Sequence, residues 1–338
     1  MNKIIEQDIR RFVEAFPFRE ELRNTSFLIT GATGLIGTAL IRCLSALDVN
    51  IRIYAPVRNI KKALELFADY PNVILAEGDL NAFDYSKFEE VDYIIHGAAP
   101  TASKFFVEKP VETINSIFIP TNNLLQYAKE NEIKGFVFLS SIEIYGDVLE
   151  KKKISEDIQG EIDILAIRSS YPLAKRVAEN LCEAFSFEYG VPVKIARLTQ
   201  TTGAGISRDD NRIIAQFVRN AFNNKDIILH TSGSSARPYC YLTDAVAAIL
   251  YILLLGKNGE AYNIANESTY VSARELAQKV IKLINPELNV RIELNNEMGY
   301  APTSYLDLST VKLKSLGWNP QYSLDSIILS LKEYLSKE

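Results

Sequence analysis

The chain has 338 residues, 47% of them hydrophobic and 23% charged, a composition suited to one large folded α/β domain with a smaller lobe. Its 37 basic residues against 42 acidic ones give a net charge of -5 with no long block of one sign, which argues against general electrostatic attraction to nucleic acid. Three well-separated cysteines, Cys43, Cys182 and Cys240, and two histidines argue against a disulfide framework or a zinc or other metal site, and fit a reducing cytoplasm.

Residues 1–24 are expected to form an N-terminal helical extension. Ile5, Ile9, Phe12 and Phe16 recur at helical spacing, whereas Asp8, Arg10, Arg11 and Glu14 interrupt any signal-peptide core. Such a segment packs on the body of the protein or on a second subunit. Strands are then expected at 27–30, 51–57, 73–76, 93–96, 136–139 and 193–197, alternating with helices near 35–46, 60–67, 111–131, 172–189 and 213–223. That alternation predicts a doubly wound parallel sheet, the Rossmann arrangement, over residues 25–198. Beyond Leu198 glycine, serine and asparagine become frequent. Residues 199–239 and 267–338 read as a smaller C-terminal α/β substrate lobe, with 240–266 returning to the main domain through a strand at 261–265. The longest apolar run, 245–255, is too short for a bilayer and reads as a buried helix, so no membrane association is expected. Lys151-Lys152-Lys153, beside Glu150, Glu156 and Asp157, reads as a solvated loop and not as a binding patch.

The first strand runs into Thr30-Gly31-Ala32-Thr33-Gly34-Leu35-Ile36-Gly37, which opens a helix. In that context Gly31, Gly34 and Gly37 let the backbone of Thr33, Gly34, Leu35 and Ile36 approach a dinucleotide pyrophosphate at the helix N-terminus. The second strand ends Tyr54-Ala55-Pro56-Val57-Arg58-Asn59, without the carboxylate that would bond a ribose 2′-hydroxyl and repel a 2′-phosphate. Arg58 pairs with a 2′-phosphate, lies over adenine or points into solvent, so NAD and NADP both stay open. Asp79-Leu80 after the third strand is placed to contact adenine, and Ala98-Ala99 after the fourth to form a small-residue shelf under the nicotinamide ribose.

Tyr171 precedes Lys175 by four residues, a spacing to lysine that no other of the chain's 17 tyrosines has, so the two share one helix face. Pro172 suits a first helical position, which sets Tyr171 at the helix mouth, near the carboxyl edge of the sheet. A free phenol titrates near about 10 and needs adjacent positive charge to act as a base at neutral pH. Lys175 and an oxidised nicotinamide would supply it, letting Tyr171 take a substrate hydroxyl proton while the carbon beneath gives up hydride. Ser141, with Ser140 at the end of the fifth strand, would steer the substrate oxygen. Glu143 is a second acid/base candidate that could remove a carbon-bound proton.

In chain order the glycine loop, Ser140-Ser141-Ile142-Glu143-Ile144-Tyr145-Gly146, Tyr171-Pro172-Leu173-Ala174-Lys175 and Gly259-Glu260-Ala261-Tyr262-Asn263-Ile264 resemble the extended short-chain dehydrogenase/reductase family, the nucleotide-sugar epimerases, dehydratases and decarboxylases. The resemblance implies a bound nicotinamide cofactor, Ser141, Tyr171 and Lys175 as the catalytic set, and a nucleoside diphosphate sugar oxidised at carbon 4. Ala98-Ala99-Pro100-Thr101-Ala102-Ser103, Arg168-Ser169-Ser170-Tyr171 with Lys175-Arg176, and Asn211-Arg212 look most like UDP-glucuronate decarboxylases. Ile142 stands where the 4,6-dehydratases carry an acid, which lowers the dehydratase reading. Arg237 matches the family arginine on the sugar-nucleotide phosphates, with Arg212 as a helper. Gln200 replaces the family asparagine after the sixth strand, and Thr202 a tyrosine, so the frame is open to another nucleotide sugar. The expected activity is decarboxylation, with 4-epimerisation, net NADPH-dependent reduction and non-catalytic cofactor sensing as alternatives. The helices at 111–131 and 172–189 have the apolar content of a homodimer seam.

Overall fold

The computed structural model describes residues 2–148, 152–295 and 303–336. From the N-terminus run α1 (Lys3–Ala15), β1 (Ser26–Thr30), α2 (Leu35–Ala46), β2 (Arg52–Val57), α3 (Ile60–Phe67), β3 (Val73–Glu77), β4 (Tyr93–His96), α4 (Ser103–Glu108), α5 (Pro110–Glu130), β5 (Gly135–Ser141), β6 (Lys153–Ile154), α6 (Ser170–Tyr189) and β7 (Val193–Leu198). The chain continues through β8 (Gln200–Thr202), α7 (Ile213–Phe222), β9 (Ile227–Leu229), β10 (Ala236–Tyr241), α8 (Leu242–Leu255), β11 (Ala261–Ile264), β12 (Asn266–Ser272), α9 (Ala273–Ile284), β13 (Val290–Ile292), β14 (Asp307–Leu308), α10 (Val311–Lys314) and α11 (Leu324–Ser336).

A seven-stranded sheet in the order β11-β7-β5-β4-β1-β2-β3, parallel throughout, forms the centre. Every residue of β1 is buried, as a strand covered on both faces must be. One face carries α2, α8 and α1 over a core that includes Leu40, Leu44 and Ile249; the other carries α5 and α6 over Leu124, Phe136 and Phe185. Successive strands run outward on opposite sides of β1 and β4, so the order reverses between those two. The crevice beyond their carboxyl ends is where a doubly wound sheet takes its ligand.

The N-terminal helix lies on its own chain, which decides between the two places expected for it. Ile4, Ile9, Phe12 and Phe16 are buried, and the Asn2 side chain accepts from the Ile4 amide at 2.9 Å as a cap. Asp8 goes inside as well, where its carboxylate accepts from the Tyr241 hydroxyl at 2.6 Å and the Tyr322 hydroxyl at 2.8 Å. Burial raises the Asp8 pKa, and the two hydroxyls pull it back.

The second half of the chain builds a three-stranded sheet, β12-β10-β8, and packs α7, α9 and α11 together around Phe217, Leu276 and Ile328. Trp318 instead joins the core of the main domain, its indole donating to the Asp244 carbonyl at 3.1 Å. Lys153 belongs to β6 and forms ion pairs with Asp307 and Glu267 at 2.8 and 3.0 Å, so this lysine of the basic run is held in place; Lys151 lies outside the described residues.

Candidate active site

The glycine loop sits at the switch point for steric reasons. Gly31 adopts φ +72°, and a Cβ there would stand 2.8 Å from the Gly97 carbonyl carbon, so β1 and β4 deliver two backbones in contact. A Cβ on Gly37 would overlap the Gly31 carbonyl oxygen. Gly34 is different: it is exposed, a Cβ there would meet only the Gly31 oxygen at 3.2 Å, and no side chain caps the first turn of α2. Thr33, Leu35 and Ile36 flank it, half-buried. Free amides at the start of a helix, reached past a residue without a side chain, fit a dinucleotide pyrophosphate.

His96 pins the crevice from below. Its Nδ1 bonds the Thr30 hydroxyl at 2.7 Å and its Nε2 the Thr121 hydroxyl at 3.0 Å, while Thr30 Oγ1 also accepts from the Ala98 amide at 3.2 Å. Burial pushes the imidazole down to about 3, so it stays neutral, a tie between β1, β4 and α5. Ala98 and Ala99 follow, half-buried. Arg58, exposed past the end of β2, forms no ion pair among the described residues. The Asp79 carboxylate accepts from the Asn81 amide at 3.0 Å and caps its own short turn, and Leu80 packs against the α5–α6 core.

β5 extends beyond its expected end, so Ser140 and Ser141 are its last residues. Ser140 is buried, with no hydrogen-bond partner for its hydroxyl among the described residues. Ser141 Oγ accepts from the Glu143 amide at 3.2 Å, closing the turn that follows. Helix α6 starts at Ser170, so Pro172 is its third residue and not its first. This is tolerated because amides of the first turn have no partner within the helix. Tyr171 and Lys175 share a face, as their spacing requires, and both are buried.

The Ser141 hydroxyl lies close enough to the phenol of Tyr171 to pull its pKa down, and the phenol's ring stacks on Phe106 with centroids 4.3 Å apart and planes 9° from parallel. Burial outweighs that pull and pushes the phenol up to about 12; Glu143 raises it and Arg168 lowers it. Lys175 departs from the expectation that its ammonium adjoins the phenol. It donates to the Leu139 carbonyl at 2.6 Å and lies 4.4 Å from the centre of the Phe138 ring, and burial drops its pKa to about 8. The strand-end carbonyl of Leu139 takes the ammonium because β5 and α6 pack against each other. The cation acting on Tyr171 is Arg168, whose Nη2 meets Glu143 Oε2 at 3.1 Å. Reading the sequence assigned no function to Arg168 beyond its place in a motif. Its position three residues before Tyr171, in the short 3₁₀ turn that leads into α6, was the available signal.

Of the three residues expected on the substrate side, Gln200 and Arg237 lie on the smaller sheet and Arg212 immediately precedes α7. Gln200, at the start of β8, stands opposite Tyr239 of β10, two residues beyond Arg237. Arg237 Nη2 donates to Ser304 Oγ at 3.2 Å. Arg212 is bound internally: Asp210 takes its Nε at 3.0 Å and its Nη2 at 2.5 Å, and the Thr201 carbonyl takes Nη1. Any phosphate contact by Arg212 would have to exchange with these bonds.

A profile of the NAD dependent epimerase/dehydratase family matches residues 27–265. UDP-glucuronic acid decarboxylase 6 of Arabidopsis thaliana is 30% identical over 317 residues, 91% of this chain and 90% of that protein. The UDP-glucose 4-epimerase of Thermotoga maritima, solved with UDP-glucose, superposes with a TM-score of 0.80 at 21% identity, covering 93% of this chain and 99% of that one. The UDP-glucuronic acid 4-epimerase of Bacillus cereus, solved with UDP-glucuronic acid and NAD, gives 0.78 at 18% identity, with coverage of 93% and 99%.

Proposed function

The chain belongs to the NAD dependent epimerase/dehydratase family, and we propose that it is a nucleotide-sugar decarboxylase that oxidises carbon 4 of a UDP-linked hexuronate and then releases carbon dioxide. One observation carries this reading: a buried tyrosine beside Ser141 at the carboxyl edge of β5, with the Glu143–Arg168 ion pair next to it. Relatedness to UDP-glucuronic acid decarboxylases over most of the chain supports the choice of substrate.

When bound, the dinucleotide supplies the acceptor that takes the carbon 4 hydride and later returns it. The free amides at the start of α2, past Gly34, would hold its pyrophosphate, and Ala98 and Ala99 would border its nicotinamide ribose. Tyr171 accepts the 4-hydroxyl proton and gives it back at the end, and Ser141 holds the 4-oxygen. The 4-keto sugar is then a β-keto acid: as the bond from carbon 5 to the carboxylate breaks, its electrons pass to the ketone oxygen. Carbon 5 next takes a proton, for which Glu143 is the nearest candidate carrier. Phosphate recognition falls to Arg237, with Gln200 beside it and Arg212 in exchange with Asp210. Incubating the NAD-loaded protein with UDP-glucuronate tests the reading, with carbon dioxide and UDP-xylose as expected products. UDP-galacturonate without carbon dioxide would make it a 4-epimerase, and stoichiometric loss of NADPH a reductase, an outcome that an unpaired Arg58 permits.

We also propose a cytoplasmic homodimer. Cys43, Cys182 and Cys240 are free and buried, as suits a reducing compartment. The outer faces of α5 and α6 form an apolar groove of about 300 Å³ with Ile114, Phe118, Leu165 and Val177 on its walls. Leu165 is 86% exposed and Val177 51%, which in a lone subunit is a costly display that the same face of a second copy would cover. Leu165→Glu with Val177→Glu should halve the mass measured by light scattering with little change in Tm. A wild-type protein that is monomeric at tens of micromolar concentration would contradict the proposal.

A further inference from the structure

We propose that Arg168 forms a carboxylate subsite, exchanging its bond to Glu143 for the carboxylate of the bound sugar, and so selects uronates over neutral hexoses; the inference rests on the substrate class proposed above. Three features of its surroundings lead there. The ion pair is a single contact, Arg168 Nη2 to Glu143 Oε2 at 3.1 Å, which leaves the other guanidinium donors without a hydrogen-bond partner among the described residues, and both side chains remain partly open, at 41% and 31% exposed. The guanidinium also sits 5.1 Å from the centre of the Phe106 ring, the ring that stacks on Tyr171. Ser170 Oγ donates to the Phe106 carbonyl at 3.0 Å, tying α4 to the start of α6, so phenol, aromatic ring and guanidinium are held as one unit.

Sugar chemistry makes the placement meaningful. In a hexuronate the carboxylate hangs on carbon 5, directly next to the carbon 4 that Tyr171 addresses. A carboxylate held by Arg168, whose guanidinium lies over the ring stacked on Tyr171, therefore faces the part of the sugar where uronates and neutral hexoses differ. Glu143 by itself would repel a carboxylate from this corner. Paired with Arg168 it leaves the corner close to neutral, and an arriving carboxylate competes with Glu143 for the same fork of donors. The other arginines of the site have different partners: Arg212 is engaged by Asp210 and Thr201, and Arg237 lies on the smaller sheet beside Ser304.

The test measures binding by titration calorimetry in NAD-saturated protein carrying Tyr171→Phe, which prevents turnover, using UDP-glucuronate and UDP-glucose. These ligands differ only at the carbon 5 substituent. The parent variant should bind the uronate at least about 10-fold more tightly, the order expected for a charged hydrogen bond. Adding Arg168→Met should abolish that preference while UDP-glucose affinity stays within about twofold, and Arg168→Lys should restore part of it. Adding Glu143→Gln should strengthen uronate binding by freeing the guanidinium. A preference that survives Arg168→Met, or equal losses for both ligands, overturns the inference and leaves the decarboxylase reading standing. A parent that binds neither UDP-sugar overturns that reading, and this one with it.

Discussion

Tyr171→Phe should lower kcat by about 10²- to 10⁴-fold, the range for loss of a general acid/base, while NAD binding and Tm stay near wild type. In the proposed reaction the phenol takes the substrate proton, and the substitution deletes one oxygen while keeping the ring that stacks on Phe106. The pH profile carries the same information. Burial holds the phenol near about 12, so as pH rises the fraction of phenolate, and with it kcat/KM, should climb about tenfold per unit until the pKa of the working complex is reached. That break should fall well below 12, because positive charge brought close by an oxidised cofactor favours the phenolate. Arg168→Met should move the break upward, since Arg168 lowers the phenol pKa. A Phe variant that retains more than a tenth of wild-type kcat would remove Tyr171 from the chemistry.

Lys175→Met is expected to abolish activity by about 10²-fold or more without unfolding the protein. Its ammonium is buried, and burial drops its pKa from the usual 10.5 to about 8. At pH 7 the lysine is still charged, so the fold carries a desolvation cost on the order of 3 kcal/mol that methionine would relieve. Against this stands the lost bond to the Leu139 carbonyl, 2.6 Å long, whose removal costs about 1–3 kcal/mol. The two effects nearly cancel, and Tm at pH 7 should stay within a few degrees of wild type. Between pH 8 and 10.5 the unfolded lysine holds a proton that the folded one has released, so wild-type stability rises with pH across that window relative to the variant. Denaturant titrations at pH 7, 8.5 and 10 measure this. A wild-type stability that stays constant or falls relative to the variant as pH rises would contradict the buried-ammonium assignment. Stability given up at a residue needed for turnover is the pattern of a functional lysine.

Much of this site follows from local rules. Apolar runs bounded by glycine and polar residues place β1 to β5, and parallel strands covered on both faces have to read that way. At Gly31 and Gly37 the surrounding backbone leaves no room for a Cβ, a steric necessity that the spacing of the glycines reveals. The shared face of Tyr171 and Lys175 follows from helical geometry alone. What the spacing does not reveal is where a long side chain ends. Lys175 reaches Leu139, a carbonyl 36 residues away, because β5 and α6 pack together. Arg168 meets Glu143, 25 residues earlier in the chain, for the same kind of reason. Asp8 is the extreme case: its partners Tyr241 and Tyr322 lie 233 and 314 residues along the chain, so a charge that looks like surface in the sequence is buried in the fold. The short strands of the smaller lobe are equally dependent on tertiary pairing. β9 and β13, three residues each, find one another across 60 residues and carry no periodicity of their own.

The claim on which the account turns is that carbon 4 of a UDP-hexuronate is oxidised and then reduced on the same enzyme. UDP-glucuronate carrying deuterium at carbon 4, incubated with the NAD-loaded protein and followed by mass spectrometry, tests it most directly. The account predicts carbon dioxide release, a UDP-pentose that keeps the deuterium, and no net consumption of NAD. A product that has lost the label to solvent, or release of carbon dioxide that proceeds equally well after NAD is removed, would contradict it.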